Sequence, residues 1–178
     1  MSHPSRTEQV VLLSEQGLPV GVADKSTVHG SDTPLHLAFS CHVFRPDGRV
    51  LVTRRALSKR TWPGVWTNSF CGHPEPDEPV ENAVRRRAER ELGIQPGELE
   101  LMLADFRYRA VDASGIVEHE ICPVYRTVVS TDPIAAADEV SEWAWIKPAD
   151  LRAAVSAAPF AFSPWLALQL AEWTDYPG

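Results

Sequence analysis

The chain has 178 residues, 44% of them apolar and 23% charged, and a net charge of −7. This is the composition of a folded protein with a real core rather than a disordered one, and the negative balance argues against nucleic-acid partners. No apolar run approaches the roughly 20 residues that span a bilayer, so no membrane partner is expected either.

In chain order, residues 1–8 read as a flexible N-terminal tail without the apolar stretch of a secretory signal. VVLLSEQGLPVGVAD is strand, turn, strand, with Gly17 and Pro19 near the turn. LHLAFSCHVF and RVLVTRR are two more strands joined at Pro46-Asp47-Gly48. WTNSFCGHPEPDE, Trp66 to Glu78, is rich in turn formers. Asp77, Glu78 and Pro79 then open a helix that runs through VENAVRRRAEREL and stops at Gly93. Two strand-like runs follow around Asp112 to Gly115, and EVSEWAWI is another strand. PADLRAAV makes a short helix, and FSPWLALQLAEW closes the chain as a last helix. The order describes an α+β protein, one domain over 1–178, expected to work as a monomer.

On the charged helix, Val80, Ala83, Val84, Ala88 and Leu92 share one stripe, and Arg87 and Glu91 fall in its middle. An unpaired charge facing a core costs several kcal/mol, so the two either pair with each other or face a polar pocket. Arg86 points away. Positive charge is also gathered in RRALSKR, Arg54 to Arg60. That cluster suits a solvated face or a local grip on a small anion, and composition alone favours the solvated face.

Cys71 stands beside Gly72 and His73. A lone cysteine is usually a small buried hydrophobe, and Cys41 and Cys122 take that reading. Cys71 lies in a turn-rich segment beside a glycine and an imidazole, where nearby positive charge would raise the thiolate share. Three cysteines without metal-finger spacing point to a reducing compartment, the cytoplasm by default. Glu118 and Glu120 lie two apart on a strand and face the same side, which fits an exposed acidic face or a paired site.

From Gly72, GHPEPDEPVENAVRRRAERELGI resembles the Nudix box, matching at Gly72, Glu78, Arg86, Glu91, Gly93 and Ile94. Arg87 and Arg90 stand where the family has magnesium-binding glutamates, so diphosphate hydrolysis is expected to be poor. With TRRALSK, WPGVWTNSFCGHP, DFRYRA, GIVEHEICPV and FSPW, the chain resembles the metal-dependent, Nudix-fold class of isopentenyl-diphosphate isomerases from about Gln9 to Trp165. The resemblance implies an α/β/α sandwich with mixed β-sheet, and interconversion of isopentenyl and dimethylallyl diphosphates. It implies Cys71 and Glu120 as proton carriers, and Tyr108 as a hydrogen-bond partner of Glu120. His29, His36, His73, Glu118 and Glu120 become ligands of a divalent ion, manganese or zinc. Glu91 and the Cys71 carbonyl become the holders of magnesium that arrives with the diphosphate. Lys25, Arg55, Lys59 and Arg87 become the diphosphate clamps, and Trp165 the aromatic wall for a carbocation. His3, His42 and His119 read as ordinary surface or core histidines. A Nudix diphosphohydrolase and a non-catalytic binding module are the competing readings.

Overall fold

The computed structural model describes residues 8–177. The first half forms β1 (Gln9–Leu13), β2 (Pro19–Asp24), a single turn of helix α1 (Lys25–Val28), β3 (His36–Leu37), β4 (Phe39–Phe44) and β5 (Val50–Arg55). Next come β6 (Trp66–Thr67), β7 (Phe70–Gly72) and the long helix α2 (Val80–Leu92). The second half holds β8 (Glu100–Leu103), β9 (Arg107–Val111), β10 (Val117–Ile121), β11 (Val124–Val128), β12 (Val140–Ile146), α3 (Pro148–Ala157) and α4 (Pro164–Glu172). None of the described helices is long and apolar enough to cross a membrane.

Two sheets result. One runs β2-β1-β3-β10-β9; the other runs β12-β5-β4-β11-β8, with β6 added to β5 and β7 to β4. Each is mixed, through parallel pairs β3 with β10 and β4 with β11. The run LHLAFSCHVF, expected as one strand, divides at Ala38 and passes from the first sheet to the second. The expected two runs after Gly97 are four strands: β8 lies in the second sheet, β9 and β10 in the first, and the chain returns to the second at Cys122-Pro123, next to the crossing at Ala38. Proline has no N–H to continue a ladder. The two crossings lie side by side, with Ala38 N–H donating to Ile121 O at 3.0 Å and Ser40 N–H to Pro123 O at 3.0 Å.

Strand β4 is buried along its whole length. Phe39, Cys41 and Val43 meet Ala83, Val84, Ala88 and Leu92 of α2. On the other face, Phe44 packs in a second cluster with Val52, Val124, Leu151, Val155, Trp165 and Leu166. The seven-stranded sheet is thus clad by α2 on one side and by α3 and α4 on the other, the expected α/β/α sandwich. Each fully buried Leu, Val or Phe adds about 1.5–3 kcal/mol to that packing.

Helix α2 begins one residue later than expected, with Pro79 as its N-cap. It ends where expected, with Gly93 in the left-handed region (φ 60°) returning its N–H to Ala88 O and Glu89 O. Gly72 is required by close approach: a Cβ there would sit 2.8 Å from Arg87 Cγ and 2.9 Å from Phe39 Cζ. Of the expected tail, residues 1–7 lie outside the described residues. Its last residue, Glu8, is held instead of loose. Its carbonyl accepts from Lys25 N–H at 2.9 Å and its carboxylate meets Lys25 Nζ at 2.6 Å.

Candidate active site

Most residues singled out by the sequence line one cleft of about 190 Å³, namely Lys25, His29, Arg55, Lys59, Cys71, His73, Arg87, Tyr108, Glu118, Glu120 and Trp165, whereas His36 and Glu91 are not among its lining residues. That volume is below the roughly 300–1,000 Å³ of drug-sized pockets and suits a small molecule. The two sheets supply different walls.

The five-stranded sheet brings the imidazoles and carboxylates. Glu120 is paired in register with His36 on one side and Tyr108 on the other, so strand pairing alone aligns the three. Tyr108 O–H donates to Glu120 Oε2 at 2.8 Å, while His73 Nε2 lies 3.1 Å and His36 Nε2 3.5 Å from Glu120 Oε1. The rings of His29, His36 and His73 stand with centroids 5.1 to 5.7 Å apart. One donor atom from each of His29, His36, His73 and Glu120 falls within 4.8 Å of the others. Glu118 stands next to this group, with Oε2 3.0 Å from His29 Nε2 and Oε1 accepting from Thr61 Oγ1 at 2.8 Å.

This set fits a divalent cation. His36 Nδ1–H donates to Pro34 O at 2.9 Å, which fixes the tautomer and leaves the Nε2 lone pair aimed at the cluster. His29 Nε2, His36 Nε2 and Glu118 Oε2 are all buried with no hydrogen-bond partner. A cation satisfies such atoms, and buried polar atoms seldom stay unsatisfied. Mixed imidazole and carboxylate donors suit first-row divalent ions. Burial pushes His73 down to about 4, so that ring is neutral and free to ligate at neutral pH. Burial also opposes charge on Glu120, but His36 and His73 beside it outweigh that and hold its carboxyl well below the usual range.

The seven-stranded sheet brings the thiol. Cys71 on β7 is cross-strand partner of Ser40 on β4, and its sulfur lies 3.3 Å from Ser40 Oγ. Its S–H donates to Asn68 Oδ1 at 3.2 Å. Burial pushes the thiol up to about 11. Trp165 Nε1–H donates to the same Asn68 oxygen at 3.1 Å, so one amide sets both the thiol and the indole. The Trp165 ring packs edge-on against Trp62 at 5.4 Å and beside Tyr108 at 5.8 Å.

The remaining wall is cationic. The midface pair on α2 is real: Arg87 reaches Glu91 at 2.6 Å and is buried with it. Arg87 also reaches Glu139 at 3.0 Å, and Glu139 pairs with Lys59. Glu91 lies behind Arg87, so its carboxylate is engaged by that guanidinium. Arg55 donates to the carbonyls of Thr61 and Trp62 and lies 5.3 Å over the Trp165 ring, fastening the loop that covers the cleft. Arg60, expected as a solvated neighbour, ties the same loop to Ser26 O (2.6 Å) and His29 O (3.3 Å) and lines the cleft. Arg86 turns outward and pairs with Glu78, and it donates to His73 O at 3.2 Å.

Four residues near the site carried no recognised signal. Thr61 and Asn68 sit in turn-rich loops without periodicity. Glu139 lies in a loop before β12, and Ser40 on a strand buried on both faces. The available hint was polarity at residues 40 and 42, two apart in an otherwise apolar run.

Comparison with known proteins places this geometry. The NUDIX domain family matches residues 34–166. The isopentenyl-diphosphate Delta-isomerase of Kocuria rhizophila is 62% identical over 172 residues, covering 97% of this chain and 96% of its own. That of Agromyces mediolanus is 65% identical over 165 residues, covering 93% and 80%. Among solved structures, DR0079 of Deinococcus radiodurans has TM-score 0.75 at 20% identity, over 94% of this chain and 99% of its own. The MutT protein of Methanosarcina mazei has TM-score 0.61 at 19% identity, over 79% and 93%; both share the fold. The chain belongs to the isopentenyl-diphosphate Delta-isomerases, a family built on the NUDIX domain.

Proposed function

We infer that the protein interconverts isopentenyl and dimethylallyl diphosphates, with Cys71 and Glu120 carrying protons on opposite faces of the five-carbon unit. In the forward direction the terminal methylene carbon gains a proton and positive charge collects on the tertiary carbon. The neighbouring methylene then gives up a proton, and the double bond re-forms one carbon further in. Nothing is consumed, so the hydrolytic carboxylates replaced by Arg87 and Arg90 are not needed. Water would capture the cation, so the bound hydrocarbon must be shielded from it.

Tyr108 orients the Glu120 carboxyl through its 2.8 Å bond and assists the proton transfer there. Trp165 presents an aromatic face to the cation, worth about 2 kcal/mol when desolvated, or about thirtyfold in rate. Lys25, Arg55, Lys59 and Arg87 hold the diphosphate at the cationic wall. Manganese or zinc on His29, His36, His73, Glu118 and Glu120 would supply positive charge that makes the Glu120 carboxyl a readier donor. Magnesium on Glu91 and the Cys71 carbonyl would neutralise the diphosphate. We place the protein in the cytoplasm as a monomeric, single-domain enzyme, in keeping with its free Cys41, Cys71 and Cys122.

The observation that carries this reading is that Cys71 and Glu120 line one small cleft while belonging to different sheets. It is tested by incubating the protein with isopentenyl diphosphate and magnesium in heavy water and following the product by NMR. Dimethylallyl product carrying solvent deuterium is expected. Unchanged substrate under several divalent metals, or release of phosphate without isomerisation, would contradict it.

A further inference from the structure

Behind Cys71, on the face of β4 that meets α4, lies a row of buried polar side chains with no part in the chemistry above. Ser40, His42 and Gln169 are fully buried and Tyr176 is 5% exposed. They touch in series. Tyr176 OH is 3.2 Å from His42 Nδ1, and His42 Nε2 is 2.9 Å from Gln169 Oε1. Gln169 Nε2 is 2.8 Å from Ser40 Oγ, which lies 3.3 Å from Cys71 Sγ.

The donor inventory gives this row one direction. Gln169 presents its N–H to Ser40, so its carbonyl must accept, and His42 carries its proton on Nε2. The other ring nitrogen then accepts from Tyr176 O–H. Burial pushes His42 down to about 4, so the ring is neutral and has one proton to give. A serine hydroxyl accepts twice and donates once. Ser40 accepts from Gln169. Since the Cys71 S–H goes to Asn68, Ser40 must donate toward Cys71 and so accept from the thiol of Cys122, 3.4 Å away. Its single O–H is left for Cys71. On the far side, Asn68 Nδ2 gives both protons to the carbonyls of Cys41 and Phe70, at 3.1 and 2.8 Å. Its oxygen is therefore turned as an acceptor toward the Cys71 S–H, and it accepts from Trp165 Nε1–H and the Thr67 O–H as well. The sulfur is held from two sides, each with its polarity set by groups further back.

We propose that Ser40, Gln169, His42 and Tyr176 are positioning residues for the isomerisation, a directed hydrogen-bond row whose last O–H fixes the Cys71 sulfur against the substrate. The row does not conduct protons, because the Gln169 amide would have to pass through its imidic acid form. It fixes where the sulfur points. This role rests on the reading of Cys71 as a proton carrier. Sulfur alone at the end of a flexible rotor would spend much of its time off the productive line, and small misplacements of reacting groups are costly in rate.

The test compares kcat and KM for isopentenyl diphosphate in the metal-loaded full chain for Ser40→Ala, Gln169→Met, their double variant and Tyr176→Phe, with thermal melts of each. Ser40→Ala removes one oxygen and is expected to lower kcat about tenfold with KM unchanged. Gln169→Met keeps side-chain length, and a loss of about fivefold is expected; Tyr176→Phe, four links from the sulfur, stays within about twofold. The double variant is expected to be no slower than Ser40→Ala, because Gln169 acts through Ser40. Wild-type kcat in Ser40→Ala, or losses that multiply in the double variant, would overturn the proposal. So would a loss of kcat that tracks a lowered melting point with KM rising alongside. Should Gln169→Met not fold, Ser40→Ala and Tyr176→Phe decide alone. Full activity in Cys71→Ala would instead overturn the role of the thiol, which separates that failure from this one.

Discussion

The two walls of the cleft treat an acidic group in opposite ways. Burial pushes up the pKa of both Glu120 and Cys71. On the five-stranded wall, two imidazoles override burial and keep Glu120 ionised. On the seven-stranded wall the direct partners are a hydroxyl and an amide, and Cys71 stays a thiol at about 11. The identity of the partners, not the depth of burial, decides the sign. One wall therefore holds a proton and the other lacks one, an asymmetry that the proposed proton transfer can use.

The largest effects should come from removing either carrier. Cys71→Ala and Glu120→Gln should each lower kcat by about a thousandfold, within the range of acid–base catalysis. The walls should differ in metal content by elemental analysis: Glu120→Gln loses the divalent ion, whereas Cys71→Ala keeps it. Loss of metal in Cys71→Ala would mean that the walls are not separate devices. Next in size, Trp165→Leu should cost about thirtyfold in kcat through loss of the aromatic face. An effect confined to KM would assign Trp165 to binding instead.

A smaller effect concerns stability behind the thiol wall. His42 has a folded pKa lowered from 6.5 to about 4. The unfolded chain thus binds the proton first, and stability is present above about pH 6.5 and lost as pH falls toward 4. In denaturant melts, the wild type should lose about 2 kcal/mol more than His42→Gln between pH 7 and pH 5. Equal losses would show that His42 is not held neutral.

Much of this was legible in the sequence, for identifiable reasons. The midface placement of Arg87 and Glu91 follows from helical period alone, and Gly93 marked the end of α2. The period does not say what else the pair meets, and Glu139, 48 residues beyond Glu91, completes their charge network through tertiary contact. Alternation located β3 and β4 as extended chain. It could not show the change of sheet at Ala38, because the side-chain pattern continues unbroken through that residue. The same change of sheet puts His36 on the metal wall and Ser40 on the thiol wall, only four residues apart. His42 was read as an ordinary histidine, and it is a satisfied core one; its link to Cys71 passes through Gln169, 127 residues away.

The most direct measurement is a crystal structure with dimethylallyl diphosphate and magnesium bound. The account predicts Cys71 Sγ and the Glu120 carboxyl on opposite faces of the five-carbon unit, each about 3–3.5 Å from a reacting carbon. Both groups on the same face, or either one out of reach of the hydrocarbon, would contradict it.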